Sequence, residues 1–200
     1  FGNSSNPDAA LLAFDTALGK LPAAVELFSI LKNHPGVRSL FSEILGSAPR
    51  LAEIVTRAPH VLDIVVDAGF TRVFDVSEIE ARAEQNLSRE PDFEIFLELS
   101  RVMARHELFL VATQVLSGVL PPLEAGRAHA AIAEALLRVV LRRTMAELAT
   151  RHGVVPGARV AILGYGKLGS QEMTATSDLD LVIVYDAPPD EMSDGKRPLY

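Results

Sequence analysis

The sequence predicts a mainly α protein, in which a multi-helix bundle is followed by a β-hairpin. Apolar residues recur at helical spacing over roughly the first 150 positions. Proline, glycine and capping residues divide these apolar runs into separate helices. Two short strand-like runs, rich in β-branched residues, follow Pro156. We therefore expect a helical region at residues 1–153 and the start of a second domain at residues 154–200.

The composition is that of a folded protein without a nucleic-acid partner. The chain has 200 residues, 48% hydrophobic and 22% charged, so it can bury a core. Its 26 acidic residues outnumber its 19 basic residues and give a net charge of −7. Because binding to a phosphate backbone needs an excess of Lys and Arg, no nucleic-acid partner is expected. The absence of cysteine excludes disulfides, thiolate zinc sites and a cysteine nucleophile.

The sequence shows no signal for export or membrane insertion. No stretch approaches the ~20 apolar residues of a transmembrane helix. Residues 1–6 lack the basic and apolar regions of a signal peptide. We therefore expect a cytoplasmic protein with no membrane partner. The first residue is Phe1 and not Met, so the chain is expected to be a piece of a longer protein.

Helix start and stop signals along the helical region predict eight helices. Asn6 followed by Pro7 is typical of a helix start, because Asn caps the first turn and Pro suits its first position. Ser77 with Glu80 matches a capping box and predicts the start of the sixth helix. The helices are expected to begin near Pro7, Pro22, Val37, Pro49, Pro59, Ser77, Asp92 and Pro122.

Two groups of polar residues in this region have more than one interpretation. Arg138, Arg142 and Arg143 cluster in the last helix, and the first two share a face. They form either a solvated helix end or a basic patch for phosphates or an acidic partner. The histidines lack metal-ligand spacing and are expected to be surface or packing residues: His34, His60, His106, His129 and His152.

A glycine-rich turn after the first strand-like run matches the dinucleotide-binding pattern. Gly164, Gly166 and Gly169 have the Gly-x-Gly-x-x-Gly spacing, and Asp186 lies where a ribose-binding acid would sit. However, only eight residues, 170–177, lead to the next strand. A parallel crossover needs at least ~10–12 residues including its helix, so antiparallel neighbours are favoured.

A second interpretation accounts for two acidic residues that the first leaves unexplained. Asp178 and Asp180 open the second strand-like run, and residues two apart on a strand share a face. They can hold Mg²⁺, which prefers carboxylates together with substrate phosphates. Gly169 and Ser170 can offer backbone N–H groups and a hydroxyl to phosphate oxygens, and Lys167 can add charge.

This interpretation predicts a metal-assisted phosphoryl or nucleotidyl transfer site. It also places Leu179, Leu181 and Ile183 in an opposite apolar layer. Each residue has a simpler alternative, because Ser170 could be only a turn residue and Lys167 only a solvated surface residue.

Segments in both halves of the chain resemble one enzyme family. Residues 166–181, GKLGSQEMTATSDLDL, resemble the nucleotidyltransferase signature of the glutamine synthetase adenylyltransferase family. The segments LGSAPRLAEI at 45–54 and APHVLD at 58–63 resemble the helical linker of that family. Its members are large bifunctional enzymes with two nucleotidyltransferase domains. The residues Glu-Met-Thr at 172–174 resemble those of the second domain, which attaches AMP.

The resemblance implies a fold, a reaction and partners. The chain would hold an inter-domain helical region and the first hairpin of an α/β nucleotidyltransferase-like domain. The parent enzyme would use ATP and Mg²⁺ to transfer AMP to a tyrosine of glutamine synthetase, and would remove it by phosphorolysis. Asp178 and Asp180 would be catalytic metal ligands, and Lys167, Gly169 and Ser170 would bind the nucleotide. The resemblance also suggests a PII-type nitrogen regulatory protein as a partner.

Three points stay open at this level. The helical half could be a non-catalytic docking or spacer module for glutamine synthetase or a regulatory protein. The direction of the reaction is not fixed, because both directions use the same metal–carboxylate arrangement. A third metal ligand is expected beyond Tyr200, since Asp190, Glu191 and Asp194 lie in a loop-like segment.

Overall fold

The structure is a computed structural model that describes residues 6–20, 24–57 and 72–195. These ranges are mainly helical and contain a two-stranded antiparallel sheet, which confirms the predicted fold class. The predicted helix from Pro59, and with it the segment 58–63, lies outside the described residues. The elements are α1 (Pro7–Lys20), α2 (Ala24–Asn33), α3 (Pro35–Ser47), α4 (Pro49–Arg57), α5 (Val76–Leu87), α6 (Phe93–Leu116), α7 (Pro122–His152), β1 (Arg159–Gly164), α8 (Gly166–Gly169) and β2 (Leu181–Asp186).

Side-chain caps fix the start of two helices where the sequence predicts them. Asn6 Oδ1 accepts the backbone N–H of Ala9 at 3.1 Å, and Pro7 is the first residue of α1. At the start of α6, Asp92 Oδ1 accepts the backbone N–H of Ile95 at 3.0 Å. These bonds satisfy donors that have no partner inside the first helical turn.

The start of α5 differs from the predicted one. The cap is Asp75, whose Oδ1 accepts the backbone N–H groups of Ser77 at 2.9 Å and Glu78 at 3.3 Å. Ser77 lies in the first turn, and its hydroxyl hydrogen-bonds to Asp75. A charged carboxylate suits the positive end of a helix better than a hydroxyl does. The predicted capping box of Ser77 and Glu80 is therefore wrong.

The described residues form two compact units, of which the first lies within 1–73 and 106–124. Its core is built from one face of each of the first four helices, with apolar residues spaced three and four apart. Phe14 packs edge-on against Phe41, with ring centroids 6.1 Å apart. The buried members are Ala10, Leu27, Leu31, Val37, Leu40, Phe41, Ile44, Leu45, Ala52, Val55 and Phe109.

The second unit lies within 74–105 and 125–200 and includes the hairpin. Small and branched apolar residues of α7 form much of its buried interior. The buried apolar residues are Ile79, Ala83, Leu87, Phe96, Ala128, Ala130, Ile132, Ala135, Leu136, Val139 and Met173. The predicted division into residues 1–153 and 154–200 stays a prediction. No helix in the described ranges has an apolar stretch long enough to cross a membrane.

The hairpin is antiparallel, as the short connection predicts. Arg159 pairs with Asp186 across the strands, and Gly164 pairs with Leu181. An ion pair of 2.7 Å between Arg159 Nη2 and Asp186 Oδ2 closes one end. A dinucleotide-binding fold needs a parallel crossover at this place, so that alternative is wrong.

Candidate functional site

The two predicted metal ligands lie just past the end of the hairpin ladder. The last backbone contact is the N–H of Tyr165, which donates to the carbonyl oxygen of Asp180 at 2.9 Å. β2 begins at Leu181, so Asp178 and Asp180 precede the strand. The predicted strand start at Asp178 is therefore wrong. The reason is that the chain after Gly164 turns into α8, so the pairing ends with the single bond to the Asp180 carbonyl and does not reach Asp178.

The Asp180 carboxylate lies against the start of α8. Gly166 has a φ of +54°, and a β-carbon built on it would collide with Asp180 Oδ2. Glycine adopts this conformation readily and leaves room for the carboxylate. The middle glycine of the motif is thus explained by the position of Asp180.

The carboxylates of Asp178 and Asp180 are exposed and have no hydrogen-bond or ion-pair partner in the part of the chain that the structure describes. The acidic residue at the opposite end of the hairpin is engaged, since Asp186 pairs with Arg159. Two unpaired carboxylates fit a hard cation such as Mg²⁺, which accepts oxygen ligands from protein, phosphate and water. Within the described ranges, no three His, Asp or Glu side chains form a complete metal cluster.

Asp194, left without a ligand role by the sequence, has a structural contact. Its Oδ1 accepts the backbone N–H of Val154 at 2.7 Å. Its own neighbour Gly195 donates to the carbonyl oxygen of His152 at 3.2 Å. This carboxylate therefore holds the loop after β2 against the end of α7.

Gly169 and Ser170 end the short helix α8. The N–H of Gly169 donates to the carbonyl oxygen of Tyr165 at 3.1 Å, and that of Ser170 donates to Gly166 at 3.0 Å. Both N–H groups are therefore used inside the turn. The Ser170 hydroxyl donates to Glu172 Oε2 at 3.1 Å and is exposed. The predicted contacts of these two residues with phosphate stay a prediction.

Lys167 lies on α8 between the two glycines and is exposed. It makes no ion pair within the described ranges. Its place beside Ser170 leaves its ammonium group available for an anionic ligand, and its predicted nucleotide contact stays a prediction.

The outer glycines of the motif have a packing role. A β-carbon on Gly169 would lie 2.8 Å from the carbonyl oxygen of Gly164, and one on Gly164 would lie 2.9 Å from Leu168 Cδ2. The pattern therefore serves a tight strand-to-helix turn within an antiparallel hairpin.

Gln171 is the one residue other than glycine with a left-handed backbone in the described part of the chain, at φ 59°. Its N–H donates to Leu168 at 3.2 Å, and the N–H of Glu172 donates to Lys167 at 2.9 Å. These two bonds form a Schellman motif, in which the left-handed position normally holds glycine. The sequence does not predict this feature, because no local pattern marks a glutamine at that position.

α7 contacts the segment that follows α8. A β-carbon on Gly126 would lie 3.1 Å from the carbonyl oxygen of Gln171 and 3.2 Å from Glu172 Cα. His129, one turn further along, is only 7% exposed, and Met173 is equally buried. The sequence offered one signal for this contact, because glycine near the start of a long helix is unfavourable without a packing reason.

Burial lowers the pKa of His129, and backbone groups of Met173 and Ala125 partly oppose that shift. Those groups lie near the ring, yet neither ring nitrogen makes a well-formed hydrogen bond within the described residues. The expectation that His129 is a packing residue agrees with this burial.

The predicted apolar layer opposite the carboxylates is present only in part. Leu181 lines a cavity of about 370 Å³ together with Ile162 of β1 and with Leu137 and Leu141 of α7. Leu179 and Ile183 are instead 45% and 66% exposed. The prediction that all three leucine and isoleucine side chains are covered is therefore wrong within the described ranges.

The arginine cluster of α7 makes contacts inside the second unit. Arg142 pairs with Glu84 at 2.5 Å and with Glu80 at 2.7 Å, and these carboxylates raise its pKa, mainly through the hydrogen bond to Glu84. Arg138 pairs with Glu134 at 2.5 Å. Arg143 donates to the carbonyl oxygen of Pro91 at 2.8 Å. These contacts join α7 to α5 and to the start of α6, which favours a structural role over a basic patch.

Comparison with known proteins gives one consistent result. A family model described as glutamate-ammonia ligase adenylyltransferase matches residues 39–199. The chain is 42% identical over 201 residues to the bifunctional glutamine synthetase adenylyltransferase/adenylyl-removing enzymes of Mesorhizobium japonicum and Brucella melitensis. It is 40% identical over 202 residues to that of Bartonella quintana. These matches cover 100% of this chain but only 20–21% of each relative.

The chain thus spans about a fifth of the length of the curated relatives it matches. The match includes the helices as well as the hairpin, so it does not rest on the short glycine and aspartate motif alone. The chain belongs to the glutamate-ammonia ligase adenylyltransferase family.

Proposed function

We propose that this chain supplies part of a Mg²⁺-dependent nucleotidyl transfer site, which transfers AMP from ATP to a tyrosine of glutamine synthetase in the longer protein. The observation that carries the proposal is the pair of exposed, unpaired carboxylates of Asp178 and Asp180 beside the α8 turn. The names of the relatives, adenylyltransferase and adenylyl-removing enzyme, support the reaction and its target.

The proposed roles follow from chemistry and position. Asp178 and Asp180 would hold Mg²⁺, which when bound would neutralise charge on the phosphate oxygens as pyrophosphate leaves. The Ser170 hydroxyl would exchange its bond to Glu172 for a phosphate oxygen. The exposed ammonium of Lys167 would attract the anionic nucleotide. Gly169 keeps the turn tight enough to present these groups together.

The reaction needs no covalent enzyme intermediate. The tyrosine oxygen of the target forms a bond to the α-phosphorus of ATP, the bond from that phosphorus to the bridging oxygen breaks, and the hydroxyl proton is released. The phosphorolytic reaction of the bifunctional relatives would use the same carboxylates with phosphate as the attacking group. Catalysis by such a site depends on positioning and electrostatic stabilisation.

The wider setting is also a proposal. The protein would act in the cytoplasm, where glutamine synthetase and ATP are available, and the helical region would separate the two catalytic domains. A PII-type regulatory protein would be a second partner of the longer protein. A docking role of the helices is compatible with this proposal, since the hairpin and the helices belong to one chain.

The test is Mg²⁺-dependent ATP binding, measured by calorimetry. It uses this chain and a chimera in which the chain replaces the matched segment of the Mesorhizobium japonicum relative. Asp178→Asn is expected to abolish the Mg²⁺-dependent binding that this site contributes to the chimera and to leave helical content unchanged. Asp190→Asn is the matched control, because it removes an exposed carboxylate from the loop after β2.

Each result has a definite meaning. Loss of binding in Asp178→Asn alone supports the proposed metal site. Equal binding in both variants would contradict it. Unchanged glutamine synthetase binding together with absent nucleotide binding would favour a docking module.

A further inference from the structure

We propose that Gly126 and His129 of α7 are positioning residues for the candidate nucleotide site. Together they form what we call the α7 seat. The seat would hold the segment 171–173 in place, and that segment joins Ser170 to the turn that leads to Asp178. This inference rests on the proposed function and adds to it two residues that lie outside the motif.

The backbone of the segment 171–173 approaches the backbone of α7 closely at Gly126. The carbonyl oxygen of Gln171 and the Cα of Glu172 lie 3.1 and 3.2 Å from the place of a β-carbon on Gly126. Both neighbours are backbone atoms of a hydrogen-bonded turn, so neither can move aside as a flexible side chain would. A glycine at this position of α7 therefore sets the distance between the helix and the segment.

A buried histidine occupies the next turn of the same helix face. His129 is only 7% exposed, although its ring carries two polar nitrogens. A buried polar group without a good hydrogen bond destabilises the fold, and an apolar residue of similar size would avoid this loss. The backbone groups near the ring belong to Met173 and Ala125. One side of the ring therefore faces the segment that the seat holds.

Gly126 and His129 are both locally unfavourable choices. Glycine is a poor helix former and histidine is a poor core residue, yet they stand three positions apart on α7. Both face the same three-residue segment, in which Met173 is the buried member. Two locally unfavourable choices that meet at one contact indicate selection for the contact itself.

The link to the site is covalent and short. Gln171 and Glu172 complete the Schellman motif that ends α8, so a shift of the segment moves Ser170 with it. On the other side, Thr174 and Ser177 close a turn, in which the Thr174 N–H donates to Ser177 Oγ at 2.9 Å. This turn leads directly into Asp178. The seat would therefore fix the separation between Ser170 and the carboxylates.

The first experiment uses matched glycine variants in this chain and in the chimera. Gly126→Ala is expected to weaken Mg²⁺-dependent ATP binding about three- to tenfold, because a displacement of a few tenths of an ångström disturbs several contacts at once. Gly36→Ala is the control, since a β-carbon there meets open space on helix α3. Hydrogen exchange of the Glu172 N–H, which donates to Lys167, is expected to speed up in Gly126→Ala only.

The second experiment uses His129. His129→Leu keeps the volume but removes the polar edge, and it is expected to raise the KM for ATP about tenfold. His129→Gln or His129→Asn keeps a polar group beside the backbone of Met173 and is expected to restore at least part of that loss. A residue that only fills space would show the opposite order, because leucine would then be the better substitute.

The outcomes separate the two proposals. If Asp178→Asn abolishes binding while Gly126→Ala and His129→Leu bind like the parent chain, the α7 seat is wrong and the metal site stands. If Asp178→Asn has no effect, the proposed function fails and the seat fails with it. If His129→Leu does not fold, the α7 seat is tested by Gly126→Ala against Gly36→Ala. Equal ATP binding and equal exchange of the Glu172 N–H in these two variants would then contradict it.

Discussion

The carboxylate of Asp180 lies against the α-carbon of Gly166, in the space that a β-carbon would fill. The same glycine has a φ of +54° and starts α8. A catalytic candidate and the glycine motif are thus parts of one contact. The consequence is that a substitution at Gly166 acts on Asp180 directly, even though Gly166 has no side chain of its own.

Gly166→Ala is expected to weaken Mg²⁺-dependent ATP binding in the chimera by at least tenfold. The added methyl group would push the Asp180 carboxylate away from its place. The left-handed backbone would also destabilise the fold by about 1–2 kcal/mol. Calorimetry and urea denaturation measure the two effects separately.

Gly118→Ala is the matched control for this prediction. Gly118 also has a positive φ, of +70°, but a β-carbon there meets nothing within 4 Å. It should lose similar stability and keep full ATP binding. Equal loss of binding in both variants would show that the backbone conformation matters and the contact with Asp180 does not.

Gln171→Gly is expected to stabilise the chain by about 1 kcal/mol, because glycine accepts the left-handed conformation without a clash. The Schellman hydrogen bonds of Gln171 and Glu172 would remain. Urea denaturation of the parent and variant measures the difference. Gln171→Ala keeps a β-carbon in the strained position and is expected to give no gain.

Loss of stability in Gln171→Gly would contradict this account. It would mean that the side chain of Gln171, which lines the cavity with Glu134 and Arg138, contributes more than the strain removes. ATP binding measured on the same variant would then show whether that contribution concerns the site.

Much of the fold could be predicted from the sequence, because local signals and structure agree. Asn6 and Asp92 cap their helices as their types suggest. The eight residues between Gly169 and Asp178 are too few for a parallel crossover, and the hairpin is antiparallel. Such features depend on neighbours along the chain, which a sequence displays directly.

Other features depend on contacts that a sequence does not display. Asp75 and Ser77 are both suitable N-cap residues, and only the path of the backbone decides which of them caps α5. The contact of Gly126 with Gln171 joins residues that are far apart in the chain. The early end of the ladder at Leu181 follows from the turn at Tyr165 on the other strand. The site residues could be recognised from sequence patterns, whereas the contacts that hold them in place could not.

Asp75→Ala is expected to destabilise α5 more than Ser77→Ala does. Asp75 accepts hydrogen bonds from Ser77 and Glu78, and these bonds lower its pKa, with the Ser77 side chain contributing most. The pKa is lower in the folded than in the unfolded state, so this contribution is present at neutral pH. It is lost as the pH falls through the acidic range in which the carboxyl group takes up a proton.

Urea denaturation of Asp75→Ala and Ser77→Ala at neutral and acidic pH tests this order. The difference between Asp75→Ala and the parent should shrink at acidic pH. A larger effect of Ser77→Ala at neutral pH would restore the capping box that the sequence predicts.

The burial of His129 predicts how stability depends on pH. Burial lowers the pKa of this residue below its ordinary value of 6.5. The unfolded chain therefore binds a proton at His129 more readily than the folded chain does. Under this linkage, the free energy of unfolding falls as the pH drops below about 6.5, and the loss ends once the folded chain can also take up the proton.

The lowered pKa of Glu98 adds a separate loss of stability at more acidic pH, so the parent must be compared with His129→Leu. The difference in unfolding free energy between the two should change between about pH 7.5 and pH 5, in the direction that favours the leucine variant at acidic pH. A constant difference over that range would mean that His129 is not buried in solution, and the α7 seat would lose its second residue.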